Sequence, residues 1–304
     1  MKVEFVGAAR NDSDNPQAVT ARLVNMFREN LDGKMVLCAV PGTEVFCELS
    51  GALIRALIPV KDRIFAVSDS FLSEILADGT VIDVGSVKSD PNTSSSSNNG
   101  AVVIASGGRY QVYTDGRVQT PSTGAFVDVG SVCFVGQKTV ITELGGRRLS
   151  WSALGDPLTF DGDEVATAEQ SDDNMLRAET INGLVWVFKE ESIEQWYDQG
   201  TSLAYRVGSK RDVGLKSFGL FAAMPDGGFF VGSDNVAYVI TGGGMRPVSN
   251  RGVEALLVKD PPNKAFYYEL EGHKFCALGF RTRPAMVFDV SQNEWHERSE
   301  GDTL

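Results

Sequence analysis

Six times along this chain a short apolar strand runs into a polar or glycine pair and out into a second strand. The pairs are Ser68-Asp69, Gly107-Gly108, Gly145-Gly146, Lys189-Glu190, Ser233-Asp234 and Arg281-Thr282. Their second residues stand 39, 38, 44, 44 and 48 positions apart. A repeat of about 40 residues built from strand hairpins has the length of a propeller blade, not of a ββα or βαβ unit. The expected fold class is therefore all-β: a β-propeller of six blades with an extended N-terminal arm. Residues 1–50 would form the arm and a ring-closing strand, and residues 51–304 the propeller.

The segments between the turns support this. Blade one reads as four strands over 53–60, 63–68, 71–76 and 80–84, with Asp78-Gly79 as a hairpin turn. Blade two shows 102–105 and 110–114, followed by a second Asp-Gly pair at Asp115-Gly116. Blade three shows 132–135, 139–144 and 148–153. Blade four shows 184–188 and 193–197, and blade five 229–231 and 236–240. Blade six shows 266–270, 274–278, 285–290 and 294–298. The arm contains a run over 22–29 that reads as extended, with a short helix as the alternative, and a strand over 35–40 ended by Pro41-Gly42. That strand is placed to pair with the last blade and so remove two sheet edges; the six hairpins could also accommodate a seventh blade made from residues 20–50. Almost no helix is expected. Two insertions interrupt the repeat. The serine-rich stretch 88–100 is too polar to bury apolar area and reads as a surface loop. The stretch 155–174 holds seven acids and no base.

A chain of 304 residues with 42% hydrophobic content can build one large domain. Its net charge of −12, from 40 acids against 28 bases, argues against a nucleic-acid grip. Such a grip needs a basic stripe to replace phosphate counterions, and the longest basic runs are Arg147-Arg148 and Lys210-Arg211. DNA sliding past without being held remains compatible. No apolar run reaches the roughly 20 residues that span a bilayer, and the N-terminus lacks the pattern of a signal peptide. Cys38, Cys47, Cys133 and Cys276 form no metal-ligand spacing and read as reduced core residues, with a Cys38–Cys47 disulfide as the alternative.

Chemistry is poorly signposted. Asp161, Asp163 and Glu164 offer hard oxygens without the alternating ligands and distal Glu of a calcium loop. Paired carboxylates, as in propeller glycosidases, would need two acids about 5 to 9 Å apart, and nothing singles out a pair. Only His273 and His296 could serve as imidazole bases; no G-x-S-x-G accompanies them, and both read as surface or packing residues. Gly107-Gly108 and Gly242-Gly243-Gly244 read as turns, and Trp151, Trp186, Trp196 and Trp295 as inter-blade packing. No catalytic residue, metal or cofactor is expected.

One resemblance runs through the chain. The run Arg22-Leu23-Val24-Asn25-Met26-Phe27-Arg28-Glu29 followed by Pro41-Gly42-Thr43 resembles the opening of the packaged-DNA stabilisation proteins of short-tailed bacteriophages, the tail hub or tail accessory factors. It continues at Gly108-Arg109-Tyr110, Ala168-Glu169 with Asp173-Asn174, 184–196, 209–214, 228–232 and 287–290. The resemblance implies a structural virion protein and not an enzyme: a tail hub or head–tail connector ring, taken to be a hexamer of this chain. The ring would sit below the portal and its adaptor, continue the DNA channel and retain packaged DNA. The implied partners are the adaptor or head-completion protein and a tail needle, nozzle or tailspike, with assembly in the host bacterial cytoplasm. Relatives usually continue into a further C-terminal β-domain, whereas this sequence ends at Leu304. Needle or spike contact made there falls to a separate chain, or the hub is a shorter one. A propeller glycan hydrolase or lyase is the alternative function. Expected interface residues are Phe5, Val6, Arg22, Asn25 and Phe27 in the arm, Ser95 in the serine-rich stretch, and Asp163 and Asp172 in the acidic insertion.

Overall fold

The computed structural model describes residues 23–124, 126–200, 205–242 and 244–299. It begins with a hairpin, β1 (Met26–Leu31) and β2 (Lys34–Ala39), closed by Asp32 and Gly33, both at positive φ. An Asp-Gly pair is the residue choice such a tight turn demands. Six four-stranded antiparallel sheets follow, the blades of a six-bladed β-propeller. Blade one is β3 (Ile54–Val60), β4 (Arg63–Ser68), β5 (Phe71–Ile75) and β6 (Val81–Ser86). Blade two is β7 (Thr93–Asn98), β8 (Ala101–Ser106), β9 (Arg109–Thr114) and β10 (Arg117–Gln119). Blade three is β11 (Val129–Val135), β12 (Lys138–Glu143), β13 (Arg148–Ser152) and β14 (Phe160–Thr167). Blade four is β15 (Met175–Ile181), β16 (Leu184–Lys189), β17 (Ile193–Asp198) and β18 (Tyr205–Arg211). Blade five is β19 (Phe221–Met224), β20 (Gly227–Val231), β21 (Ala237–Thr241) and β22 (Gly244–Pro247). Blade six is β23 (Lys264–Leu270), β24 (His273–Gly279), β25 (Ala285–Asp289) and β26 (Glu294–Arg298). Each of the six turns that set the repeat joins the second strand of a blade to its third.

The chain divides into two compact units, one spanning Glu44–Phe218 and the other joining the chain up to Thr43 to the chain from Gly219. In the first unit the leading strands β3, β7, β11 and β15 lie beside one another, so they are the inner strands of their blades. Apolar residues fill the spaces between blades. Ile58, Phe65 and Val67 of blade one meet Val102 and Ile104 of blade two. Trp151 of blade three packs in one cluster with Val187 and Trp196 of blade four.

Polar atoms also link the blades. The segment entering each new blade hands an N–H to the turn of the blade before it: Val87 to Ser70 O (2.9 Å), Val129 to Gly108 O (2.8 Å), and Met175 to Gly146 O (3.0 Å). Leu215, leaving blade four, does the same to Lys189 O at 2.8 Å. This close approach explains Gly214, where a Cβ would lie 2.5 Å from Glu191 N and overlap the Glu190 carbonyl. Gly214→Ala should therefore destabilise the protein by about 1–3 kcal/mol through overpacking, read as a lower urea midpoint at unchanged slope.

The serine-rich stretch is not a surface loop. Residues 93–98 form β7, an inner strand whose Ser94 Oγ donates to Val132 O (3.0 Å) and accepts from Val132 N (3.1 Å). Asn98 Nδ2 donates to Thr139 Oγ1 at 2.8 Å. A strand held by its ladder and by hydroxyls reaching the next blade does not need apolar side chains of its own. Similarly, Ser131 Oγ on β11 accepts from Ala178 N on β15 at 2.8 Å. The acidic insertion likewise contributes β14, the fourth strand of blade three.

In the second unit, strand 35–40 does not pair with the last blade; β2 pairs with β1. The residues that reach blade six are Leu23 to Asn25, whose backbone bonds to Glu297 on the outer strand β26, with a parallel bridge from Val24. Phe27, Cys38 and Val40 then cover Phe275, Ala277 and Val287 on the face of blade six. One helix, α1 (Arg251–Lys259), departs from the sequence reading. Asn250 Oδ1 caps it by accepting from Val253 N at 3.0 Å, and Val253 and Leu257 are fully buried. All four cysteines are free thiols, Cys133 and Cys276 buried and Cys38 and Cys47 half-buried. Among the described residues no helix is long and apolar enough to cross a membrane.

Candidate functional site

The most concentrated chemistry in the first unit surrounds Lys189, at the end of the apolar strand β16. Its side chain is 0% exposed. The ammonium reaches Ser171 O (2.7 Å), Asp173 Oδ1 (3.1 Å), Ala168 O (3.2 Å) and Glu194 Oε1 (3.4 Å). Glu194, also fully buried, accepts the indole N–H of Trp196 at 3.1 Å through its other oxygen. Asp173 accepts from Glu191 N (2.8 Å) and from Ser192 Oγ (3.0 Å to one oxygen, 3.1 Å to the other). Burial alone would raise the Asp173 carboxyl, but those hydrogen bonds and the Lys189 charge outweigh it and hold the group below the usual range. The base missing from the acidic insertion is thus supplied by the next blade. Lys189 and Asp173 bind the segment entering blade four to that blade's own turn, which is a fastening and not a cleft.

Among the described residues two other carboxyls are shifted upward, both first by burial. Glu179 on β15 is paired with Arg177, whose guanidinium also donates to Phe218 O at 2.8 Å and lies 4.8 Å from that ring's centre. Glu294 on β26 meets Arg28 at 2.9 Å. Each raised acid faces an arginine, and Glu294 is raised further by the charge of Asp289, its cross-strand neighbour on β25.

The histidines occupy blade six. His273 Nδ1 lies 2.6 Å from Asp289 Oδ2 and Nε2 lies 2.8 Å from Glu29 Oε2. In a hydrolytic triad the second nitrogen would face a nucleophilic hydroxyl; here that position holds a carboxylate. Burial pulls the His273 pKa down, but the hydrogen bonds and charges of Asp289 and Glu29 leave it raised overall. His296 goes the other way. Burial, then Arg298 and His273, push it down to about 3. The neutral ring accepts from Arg298 Nε at 3.2 Å through Nε2. The sequence reading placed both histidines as surface or packing residues and missed this cluster. Its signal was weak, because Glu29, His273 and Asp289 lie far apart in the chain.

The expected interface residues are scattered. Phe5, Val6 and Arg22 lie outside the described residues. Asn25, at positive φ, exchanges bonds with Ser299: its Oδ1 accepts from Ser299 N (3.0 Å) and its Nδ2 donates to Ser299 O (3.2 Å). Phe27 is 2% exposed and packs edge-on to His273 and Phe275. Ser95 is half-buried on β7, opposite Ile104. Asp163 and Asp172 are exposed; Asp172 pairs with Arg147. Among the described residues no three His, Cys, Asp or Glu side chains gather as a metal site.

Six four-stranded blades with fastened turns define a six-bladed β-propeller. The family model described as "Bacteriophage P22 Gp10, beta-propeller", of the phage stabilisation proteins, matches residues 2–297, and the chain belongs to that family. It is a structural phage β-propeller of the packaged-DNA stabilisation class. No curated relative matches the chain. Among solved structures, the Neurospora crassa Pan2 WD40 domain is similar with a TM-score of 0.52 at 8% identity, covering 82% of this chain and 80% of that one. The dihydro-heme d1 dehydrogenase NirN (TM-score 0.49, 13% identity, 78% of this chain and 53% of that one) is also similar. So is KlHsv2 with loop 6CD replaced by a Gly-Ser linker (0.46, 13%, 78% and 80%). The Pan2 likeness speaks for the fold alone.

Proposed function

We propose that this chain is a non-enzymatic ring subunit of a phage tail hub or neck that attaches below the portal–adaptor, continues the DNA channel and retains the packaged genome. The observation that carries this reading is membership of the stabilisation family over nearly the whole chain. The charge balance supports it. A surface with net charge −12 meets DNA with like charge, so duplex can pass without the counterion-release capture that a basic lumen would produce. The buried Lys189 cluster and the hydroxyl links between blades suit a part that bears load and does no chemistry.

The test is mass and shape of the purified chain, alone and mixed with the portal–adaptor complex, by light scattering and negative-stain imaging. Rings of several copies, or recruitment to the adaptor's open end, are the expected result. A monomer that ignores the adaptor would refute the proposal. Gel-shift assays at about 150 mM salt should show no retention of duplex DNA up to roughly 100 μM protein, the weak end of non-specific binding. Tighter retention would contradict passage without capture.

A further inference from the structure

The N-terminal hairpin is fastened to blade six by unlike devices at its two ends. Near its base, Leu23 and Asn25 bond to Glu297, Asn25 to Ser299, and Arg28 to Glu294 at 2.9 Å. Further along β1, beyond the apolar contact of Phe27, a second polar link to blade six begins at Glu29. Glu29 of β1 reaches His273 of β24, and His273 reaches Asp289 of β25. Both ring nitrogens face carboxylate oxygens, and a carboxylate can only accept. Only the doubly protonated imidazolium donates to both.

We propose that the hairpin is a releasable strap, latched to blade six by the Glu29–His273–Asp289 bridge and freed when His273 loses its proton. In the charged state one positive ring joins two negative groups with two charge-assisted hydrogen bonds. In the neutral state one nitrogen carries no hydrogen, so one carboxylate faces a lone pair at hydrogen-bonding distance and Glu29 and Asp289 lose the cation between them. Asp289 is tied further, with Oδ1 accepting from Ser291 N (2.8 Å) and Gln292 N (3.2 Å), so Glu29 is the partner able to leave. The strap covers Phe275, Ala277 and Val287, and its release exposes that apolar face.

The ionisable groups around the ring agree with this assignment. They are Glu29 from β1, Cys38 from β2, Tyr268 from β23, Asp289 from β25, and His296 and Arg298 from β26. His296 is held neutral, and the Arg298 guanidinium lies 4.6 Å from the Phe275 ring centre and 4.8 Å from that of Tyr268. Burial pushes the Tyr268 hydroxyl up to about 12, well above the window in which a raised histidine titrates. The sign follows. A histidine raised by folding gives its full stabilisation below about pH 6.5, and that contribution is lost as pH rises through the folded-state value.

With two histidines in the chain, a ring-proton NMR titration can follow His273 directly. Amide exchange over residues 26–39, corrected for the intrinsic pH dependence, is measured on the same full-length protein from pH 6 to 10. Hairpin protection should fall about tenfold for each pH unit by which the latch has raised His273, in step with its titration, while the β24–β25 ladder holds. Glu29→Gln should lower His273 towards its ordinary value and flatten the hairpin's pH response. Hairpin protection that stays flat while His273 titrates would overturn the proposal, as would an unchanged response in Glu29→Gln. If the variant does not fold, the wild-type titration and exchange profile decide alone.

Discussion

Lys189→Met should lower the folding free energy by about 3–5 kcal/mol, the range for removing one partner from a buried ionic cluster. Methionine preserves the apolar stem of a side chain that is 0% exposed, so a large loss would report the charge and its hydrogen bonds. Without the ammonium, Glu194 keeps the Trp196 indole bond, and Asp173 keeps the Glu191 amide and Ser192 hydroxyl. The Ala168 and Ser171 carbonyls lose the lysine as a donor as well. Urea denaturation of the wild type and variant gives the number. Adding Glu194→Gln to Lys189→Met should restore part of the loss, because the cost lies mainly in leaving a buried carboxylate uncompensated. A single-variant loss under 1 kcal/mol would mean that water reaches the cluster and the fastening is only geometric.

That cluster also shows what the sequence could and could not reveal. The turn Lys189-Glu190 was visible as one of six polar interruptions, and the blade count follows from their spacing. Turns are legible because tight hairpins admit few residue types and sit between strongly apolar strands. The role of Lys189 was not legible, since its partners Ala168, Ser171 and Asp173 come from an upstream stretch that holds acids and no base. β7 failed for a related reason. Composition predicts whether a segment can bury apolar area, but an inner strand bonded by hydroxyls to Val132 does not depend on that area. Outer strands such as β18 and β22 carry polar residues on a sheet edge and leave no alternating pattern to detect. Phe27 was placed at an interface for its position in a family-like run; the fold uses its ring to seat the hairpin on Phe275.

His296→Gln should remove a large part of the acid sensitivity of this protein. His296 is 2% exposed, and its folded-state pKa is pushed down to about 3, against roughly 6.5 in an unfolded chain. The depressed value fixes the sign: stability is fully present above about pH 6.5 and is lost as pH falls towards 3, because the unfolded chain takes a proton that the folded one refuses. At pH 4 the penalty is on the order of 3 kcal/mol, from about 1.4 kcal/mol per pH unit below the unfolded value. Glutamine does not titrate there, and its carbonyl oxygen can accept from Arg298 as Nε2 of the imidazole does. Urea midpoints at pH 7 and pH 4 for both proteins make the measurement, and carboxylates common to both cancel in the difference. Parallel losses would place His296 in contact with solvent in acid. The expected result, a variant whose unfolding free energy falls less by about 3 kcal/mol between pH 7 and pH 4, has a further consequence for blade six. His273 contributes its stabilisation on the acid side of its raised pKa, while His296 withdraws stability below 6.5. The two rings therefore bound the blade from opposite sides and hold its best-ordered state near neutral pH.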